Sequence, residues 1–161
     1  MINSKMICKI MGSLFFIEAG FLILCALLAI YYKETDLTAF LSSAAITAGA
    51  GIVFSIFGKN AERKISRRDG YVVVSLAWIF FSLFGMLPFY LSGYIPSITD
   101  AFFETMSGFT TTGASILDNI ESLPHGLLYW GSLTHGIGGV GNLFCSIAVL
   151  ATLPGGSRQL I

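Results

Sequence analysis

The four residues Thr110, Thr111, Thr112 and Gly113 are the part of the chain best suited to chemistry, and that chemistry is cation coordination. Threonine and glycine are poor residues for continuing a helix. Extended backbone at membrane depth is tolerated only where protein encloses it or where it lines a water-filled path. There its carbonyl oxygens can replace the water shell of a cation, and Gly113 permits the left-handed angles that turn successive carbonyls towards one axis. These residues therefore predict a cation-binding pore loop.

A short helix is predicted directly before this loop, over residues 98–107. Ser97 and Asp100 have the spacing of a capping box, and an acidic residue in the first turn suits the positive end of a helix. At 1.5 Å per residue the helix would reach only about 15 Å, roughly half of the hydrocarbon core. It is either a re-entrant helix that points its negative end at the loop or an amphipathic helix on the outer surface. Length alone leaves both open.

The composition indicates that the bilayer is the solvent of the chain, because 55% of its 161 residues are hydrophobic and only 11% are charged. A helix needs about 20 apolar residues to cross a bilayer. Four segments are long enough, over residues 10–32, 37–58, 71–95 and 126–153. The sequence predicts an all-α membrane protein in which a transmembrane hairpin (1–58) and a basic loop (59–70) precede one helix–pore loop–helix repeat (71–161).

The basic loop gives the expected orientation. Lys and Arg concentrate in cytoplasmic loops, and the loop contains Lys59, Arg63, Lys64, Arg67 and Arg68. Both termini are then predicted to be cytoplasmic. The acidic residues fall mostly on the outer side, where they would raise the local concentration of cations.

Residues 102–115, FFETMSGFTTTGAS, resemble the first pore loop of the Trk/Ktr/HKT potassium-transporter superfamily, and in particular that of its bacterial Trk-type membrane subunit. Residues 132–141 resemble the start of the helix that follows this loop, and the leading hairpin is similar to the two extra helices of the bacterial Trk arrangement. The resemblance implies four such repeats around one potassium pathway. It implies potassium uptake across the bacterial inner membrane, with no enzymatic activity and no cofactor besides the transported ion.

Matched positions of the resemblance imply the roles of single residues. Thr110, Thr111, Thr112 and Gly113 would form one quarter of the selectivity filter, with potassium at Thr110 and Thr111. Glu104 is expected to support the filter backbone rather than bind the ion. Gly113 favours potassium, because family members that prefer sodium tend to carry serine there.

The resemblance also implies partners. These are membrane lipid, the remaining pore repeats or other copies of a family membrane subunit, and a cytosolic nucleotide-binding regulatory subunit. The complete protein is expected to be a homodimer, and no nucleic acid is expected to bind.

The chain departs from the family pattern at three positions and in its tail, residues 153–159, which also differs from an expected apolar continuation. A basic residue is usual near Gly131, a tryptophan at Gly136, and an apolar residue at Asn142. The chain also contains one repeat of four, which leaves open a fragment, a truncated product and a subunit that needs companions. The alternative function is a non-conducting scaffold or assembly protein derived from the same family.

Two features inside the predicted spans are of interest: an acidic residue in the first span and a pair of small residues in the last. Glu18 lies near the inner end of the first predicted span, so its carboxylate would reach the interface or mark a functional site. Ser132 and Gly136 are predicted to form a small-xxx-small pair for close helix packing. The glycine-rich stretch 136–141 lies inside a predicted membrane span and not between a strand and a helix, so it is not interpreted as a dinucleotide-binding loop.

Overall fold

The structure, a computed structural model, describes residues 3–59, 61 and 67–152. In this part of the chain there are six α-helices and one short 3₁₀ turn, and no strand. The helices are α1 (Ser4–Tyr32), α2 (Leu37–Phe57), α3 (Arg67–Gly85), α4 (Leu87–Leu91), α5 (Ile98–Phe109) and α6 (His125–Thr152), and the 3₁₀ turn is Ile120–Ser122. Arg63 and Lys64 of the expected basic loop and the end of the last predicted span at Leu153 lie outside the described residues.

Three spans in the described part of the chain are long and apolar enough to cross a membrane: α1, α2, and the stretch Arg68–Leu91, which covers α4 and all of α3 except Arg67. This confirms the predicted all-α membrane fold. The third span lies over the apolar segment predicted at residues 71–95, and one turn residue, Met86, separates the end of α3 at Gly85 from the start of α4 at Leu87. Pro88 lies in the first turn of α4, where its missing amide costs nothing, whereas inside a longer helix it would remove a hydrogen bond.

The helices α1 and α2 form the expected hairpin. Lys33 ends α1 in the left-handed conformation, and its own amide and that of Glu34 cap the last carbonyls of α1. The buried residues of α1 recur every three or four positions, which is the spacing of one helix face. On this face Phe15 makes edge-to-face contacts with Phe54 of α2 and with Phe80 and Phe84 of α3, at centroid distances of 5.2, 5.8 and 4.9 Å.

The half-length helix α5 begins as the sequence predicted and ends two residues later, at Phe109. Ser97 caps it by accepting a hydrogen bond from the amide of Asp100 at 3.3 Å. One face, which includes Thr105 and Gly108, is buried. Since α5 contacts both α3 and α6, it is packed between two long helices, as a re-entrant helix would be.

The expectation that Glu18 reaches the inner interface is wrong. Because α1 begins at Ser4, Glu18 lies halfway along it, and the residue is 2% exposed. A Cβ atom at Gly85 would lie 3.2 Å from the Glu18 carboxyl oxygen and also close to Thr105 and Phe109 of α5. The carboxyl group is therefore buried where α1 and α3 meet the end of α5.

The packing pair on α6 also differs from the prediction of Ser132 and Gly136. Ser132 is exposed and donates to the carbonyl of Leu128 in its own helix at 3.0 Å, and no atom of the described residues lies within 4 Å of a Cβ built at Gly136. Two small α6 residues that contact α5 are Thr134, against Gly108, and Gly138, against Phe109. They are again four apart, so the small-xxx-small spacing is present, but two residues later in the helix.

Candidate functional site

The segment of residues 110–113 leaves the end of α5 by folding back over its last turn. Thr110 ends the helix with right-handed backbone angles (φ −80°, ψ 0°). The amide of Thr111 donates to the carbonyl of Gly108 at 2.9 Å, and the amide of Thr112 donates to the carbonyl of Ser107 at 2.9 Å. These bonds satisfy carbonyls that have no partner inside the helix.

The direction of these amides fixes the direction of the carbonyls. In a planar trans peptide the N–H of one residue points opposite to the C=O of the residue before it. Because the amides of Thr111 and Thr112 point back into α5, and the amide of Gly113 also donates to Ser107, at 3.5 Å, the carbonyls of Thr110, Thr111 and Thr112 point away from α5. Thr111, Thr112 and Gly113 are exposed. The sequence-predicted residues therefore come together as a short row of oxygens on an open face.

The backbone angles of the segment explain how its carbonyl oxygens come to point away from α5. Thr111 has φ 57° and Gly113 has φ 76°, so left-handed residues occupy alternate positions. Glycine adopts such angles freely, whereas a β-branched residue at positive φ is a conformational outlier. Thr111 must therefore be held by its surroundings.

Hydroxyl groups connect the segment internally. Thr110 Oγ1 donates to the carbonyl of Met106 at 2.8 Å and lies 2.9 Å from Thr112 Oγ1. Thr111 Oγ1 donates to the carbonyl of Thr110 at 2.7 Å and accepts a hydrogen bond from Asn142 Nδ2 at 3.3 Å. Asn142 thus joins α6 to the segment, a contact that the sequence did not predict.

Glu104 lies beside the chain that follows the segment and not beside the segment itself. Its two carboxylate oxygens accept hydrogen bonds from Ser115 Oγ at 3.0 and 3.1 Å, and one also accepts from the amide of Ile116 at 3.0 Å. Ser115 Oγ in turn accepts from the amide of Leu117 at 3.1 Å. The carboxylate therefore ties the middle of α5 to residues 115–117, just beyond Gly113.

Phe109, the last residue of α5, is anchored from several sides. Its ring is 1% exposed and lies 5.5 Å from the ring of Phe81 and 6.4 Å from that of Trp130. The indole of Trp130 donates to the carbonyl of Gly85 at 2.8 Å. Gly138 lies against the backbone of Phe109 so closely that a Cβ atom there would be 2.6 Å from its carbonyl carbon.

A second polar group joins the turn of the hairpin to the first turn of α6. Glu34 accepts from the ring of His125 at 2.7 Å and from the amide of Gly126 at 3.4 Å, and the His125 ring stacks on Tyr32 at 4.2 Å. Burial alone would raise the pKa of Glu34, but hydrogen bonds from the ring and amide of His125 and the amide of Gly126 outweigh it and hold the pKa below its ordinary value. Burial and the neighbouring Glu34 carboxylate raise the pKa of Asp36.

Among the described residues no cluster of three or more His, Cys, Asp or Glu side chains could hold a metal ion. His135 bonds to the carbonyl of Gly131 in its own helix at 2.9 Å. Apolar helices of membrane-spanning length together with an exposed row of carbonyl oxygens are features of a membrane transport protein.

Comparison with known proteins identifies the family. The family model described as TrkH, cation transport protein, matches residues 37–161. The Trk system potassium uptake protein TrkH of Halomonas elongata is 33% identical over 157 residues, which are 97% of this chain and 33% of that protein. The Trk system potassium uptake protein TrkG of Escherichia coli K12 is 34% identical over 135 residues, which are 82% of this chain and 27% of that protein.

A solved structure agrees with these matches. The crystal structure of the potassium transporter TrkH from Vibrio parahaemolyticus superposes with a TM-score of 0.85 and 26% identity, over 99% of this chain and 35% of that chain. The chain therefore belongs to the TrkH family of cation transport proteins, which are membrane transporters and not enzymes. It spans about a third of the length of the relatives and of the solved structure.

Proposed function

We propose that this chain provides the first pore-loop repeat of a Trk-type potassium uptake protein, and that residues 110–113, the filter segment, form one quarter of its selectivity filter. The observation that carries the proposal is the row of carbonyls that points away from α5 onto an exposed face. Relatives named for potassium uptake support potassium as the transported ion. In this assignment the hairpin occupies residues 1–58 and the repeat residues 71–161.

The mechanism follows from the geometry of the loop. Carbonyl oxygens of Thr110 and Thr111 replace water molecules around a potassium ion, while three further loops of the complete protein supply the remaining ligands. The helix α5 ends at Phe109 with its negative dipole end beside these oxygens, which favours a cation there. Glu104 supports the filter segment indirectly, by fixing Ser115 and Ile116 where the chain leaves the filter.

The setting of the complete protein belongs to the same proposal. The basic loop 59–70 and both termini lie on the cytoplasmic side of a bacterial inner membrane, and surrounding lipid contacts the exposed apolar faces of α1 and α2. The complete membrane subunit forms a homodimer and binds a cytosolic nucleotide-binding regulatory subunit.

Gly113→Ser in the complete transport protein that contains this chain tests the filter assignment. Within the part of the chain that the structure describes, a Cβ atom at Gly113 would meet nothing within 4 Å, so folding and membrane insertion should survive the substitution. Its left-handed backbone disfavours a side chain, however, by roughly 1–2 kcal/mol, and relaxing that strain rotates the neighbouring carbonyls. The ratio of potassium to sodium permeability should therefore fall.

Gly93→Ser is a matched control. Gly93 also has a left-handed backbone, with φ 81°, and open space around its Cβ position, but it lies in the turn after α4. Reversal potentials in mixed potassium and sodium solutions should change for Gly113→Ser and not for Gly93→Ser. An unchanged reversal potential for Gly113→Ser, with normal expression, would remove residue 113 from the filter.

A further inference from the structure

Asn142 lies at the end of a line of α6 residues that contact the last turn of α5 and then the filter segment, one after another. Thr134 contacts Gly108, Gly138 contacts the backbone of Phe109, and Asn142 donates a hydrogen bond to Thr111. Residues four apart lie on one face of a helix, so this face follows the chain from the last turn of α5 into the segment. Asn142 is the member of the line that reaches a proposed ion-binding residue.

The hydrogen bonds form a relay from α6 to a filter carbonyl. Asn142 Nδ2 donates to Thr111 Oγ1 at 3.3 Å, and the same hydroxyl donates to the carbonyl of Thr110 at 2.7 Å. A hydroxyl has one proton and can accept as well as donate. Because the Asn142 amide occupies a lone pair of the hydroxyl and cannot accept its proton, the proton is directed to the Thr110 carbonyl. Hydrogen bonds in such a chain polarise and strengthen one another.

The relay acts on the residue of the segment that most needs support. Thr111 is β-branched and has φ 57°, an unfavourable conformation that persists only where neighbouring groups hold it. Its hydroxyl donates to the carbonyl of Thr110 and accepts from Asn142 of α6. Removal of the α6 contact would leave the hydroxyl free to turn towards the ion or water, and the Thr110 carbonyl would lose a fixed donor.

We propose that Asn142 is a positioning residue of the filter, which sets the orientation of the Thr110 carbonyl through the hydroxyl of Thr111 and thereby tunes the ion preference of this loop. The proposal rests on the filter function proposed above. A positioning role differs from a packing role. A packing residue would act through the volume of its side chain, whereas Asn142 is proposed to act through its hydrogen bond to the Thr111 hydroxyl.

A double-mutant cycle separates the two roles. Asn142→Leu keeps a side chain of similar size and removes the donor, and Thr111→Val keeps the β-branched shape and removes the hydroxyl. In the complete transport protein, Asn142→Leu should lower the potassium-to-sodium permeability ratio by about two- to tenfold, the worth of one hydrogen bond. In the Thr111→Val background the same substitution should leave the ratio unchanged, because the relay is already broken.

Two further variants complete the design. Val140→Leu, at an exposed position of the same helix, should leave the ratio unchanged, and Asn142→Ala replaces Asn142→Leu if the leucine variant is poorly expressed. An equal effect of the Asn142 substitution in both backgrounds would show a packing role and overturn the proposal, as would a normal ratio in the single variants. Gly113→Ser tests the filter separately: an effect there without one at Asn142 would refute the relay alone, whereas no effect at Gly113 would refute the proposed filter.

Discussion

Gly138→Ala is expected to displace the end of α5 from α6, and with it the start of the filter segment. A methyl group at this position would lie 2.6 Å from the carbonyl carbon of Phe109 and 2.8 Å from its Cα atom. Non-bonded carbon atoms prefer separations of about 3.5–4.0 Å, so the two backbones must separate by roughly 1 Å. No side-chain rotation can relieve the overlap, because the partner atoms belong to the backbone of a buried residue.

The expected magnitude follows from two opposing contributions. Overpacking of a buried contact costs typically about 1–3 kcal/mol, while alanine favours a helix over glycine by about 1 kcal/mol. Gly138→Ala should therefore lower the free energy of unfolding by up to about 2 kcal/mol, a modest loss. Potassium uptake should fall far more, because the displaced backbone of Phe109 precedes the oxygens that are proposed to bind the ion.

Gly136→Ala provides the matched control on the same helix. Among the residues with a described structure, none has an atom within 4 Å of its Cβ position, so this variant should gain helix stability and keep its uptake. The assays are thermal unfolding of the purified complete protein in detergent and potassium uptake by cells that lack other uptake systems. If Gly138→Ala had the same melting temperature and uptake as Gly136→Ala, the close contact between α6 and Phe109 would be wrong.

Two more predictions concern the charge of Glu34 and the orientation of the chain in the membrane. A carboxyl group whose pKa is lowered by folding stabilises the fold above its unfolded pKa, about 4.3 for Glu, and the stabilisation disappears as the pH falls through the lowered folded pKa. Glu34→Gln should therefore melt below the wild type at neutral pH and match it in acid, and a difference independent of pH would contradict the role of its charge. In a variant without native cysteines, an impermeant thiol reagent added to intact cells should modify Asp118→Cys and spare Lys59→Cys. The opposite labelling pattern would reverse the proposed orientation.

Local signals explain why much of the fold could be predicted from the sequence. The hairpin follows from two apolar runs separated by a short polar turn, and the half-length helix follows from the capping residue Ser97 and from the polar residues that stop it. The start of α5 matches the prediction, and its end differs by two residues. The break after Gly85 was missed although Pro88 is a visible signal, because the apolar run continues across it without interruption.

The missed parts of the candidate site depend on contacts between distant segments. The hydrophobicity of α1 does not show which neighbour buries Glu18, and the spacing of small residues in α6 fits both Ser132 with Gly136 and Thr134 with Gly138. Only the point at which α5 ends against α6 selects the second pair. Asn142 could be recognised in the sequence as a departure from an apolar pattern, but its bond to Thr111 requires the fold.

Residues of α3 and α6 pack around Phe109, the residue directly before the proposed filter segment. A loop that presents its carbonyls to an ion must leave that face open, so no protein packing can hold it there. Its position must then be fixed from its other sides, and Phe109, directly before it, contacts Phe81 of α3 and both Trp130 and Gly138 of α6. The hairpin reaches the same place, since Glu18 of α1 lies beside Gly85, whose carbonyl accepts from Trp130. In the proposed filter assignment, contacts at Gly85 therefore connect α1 to the residues that pack against Phe109.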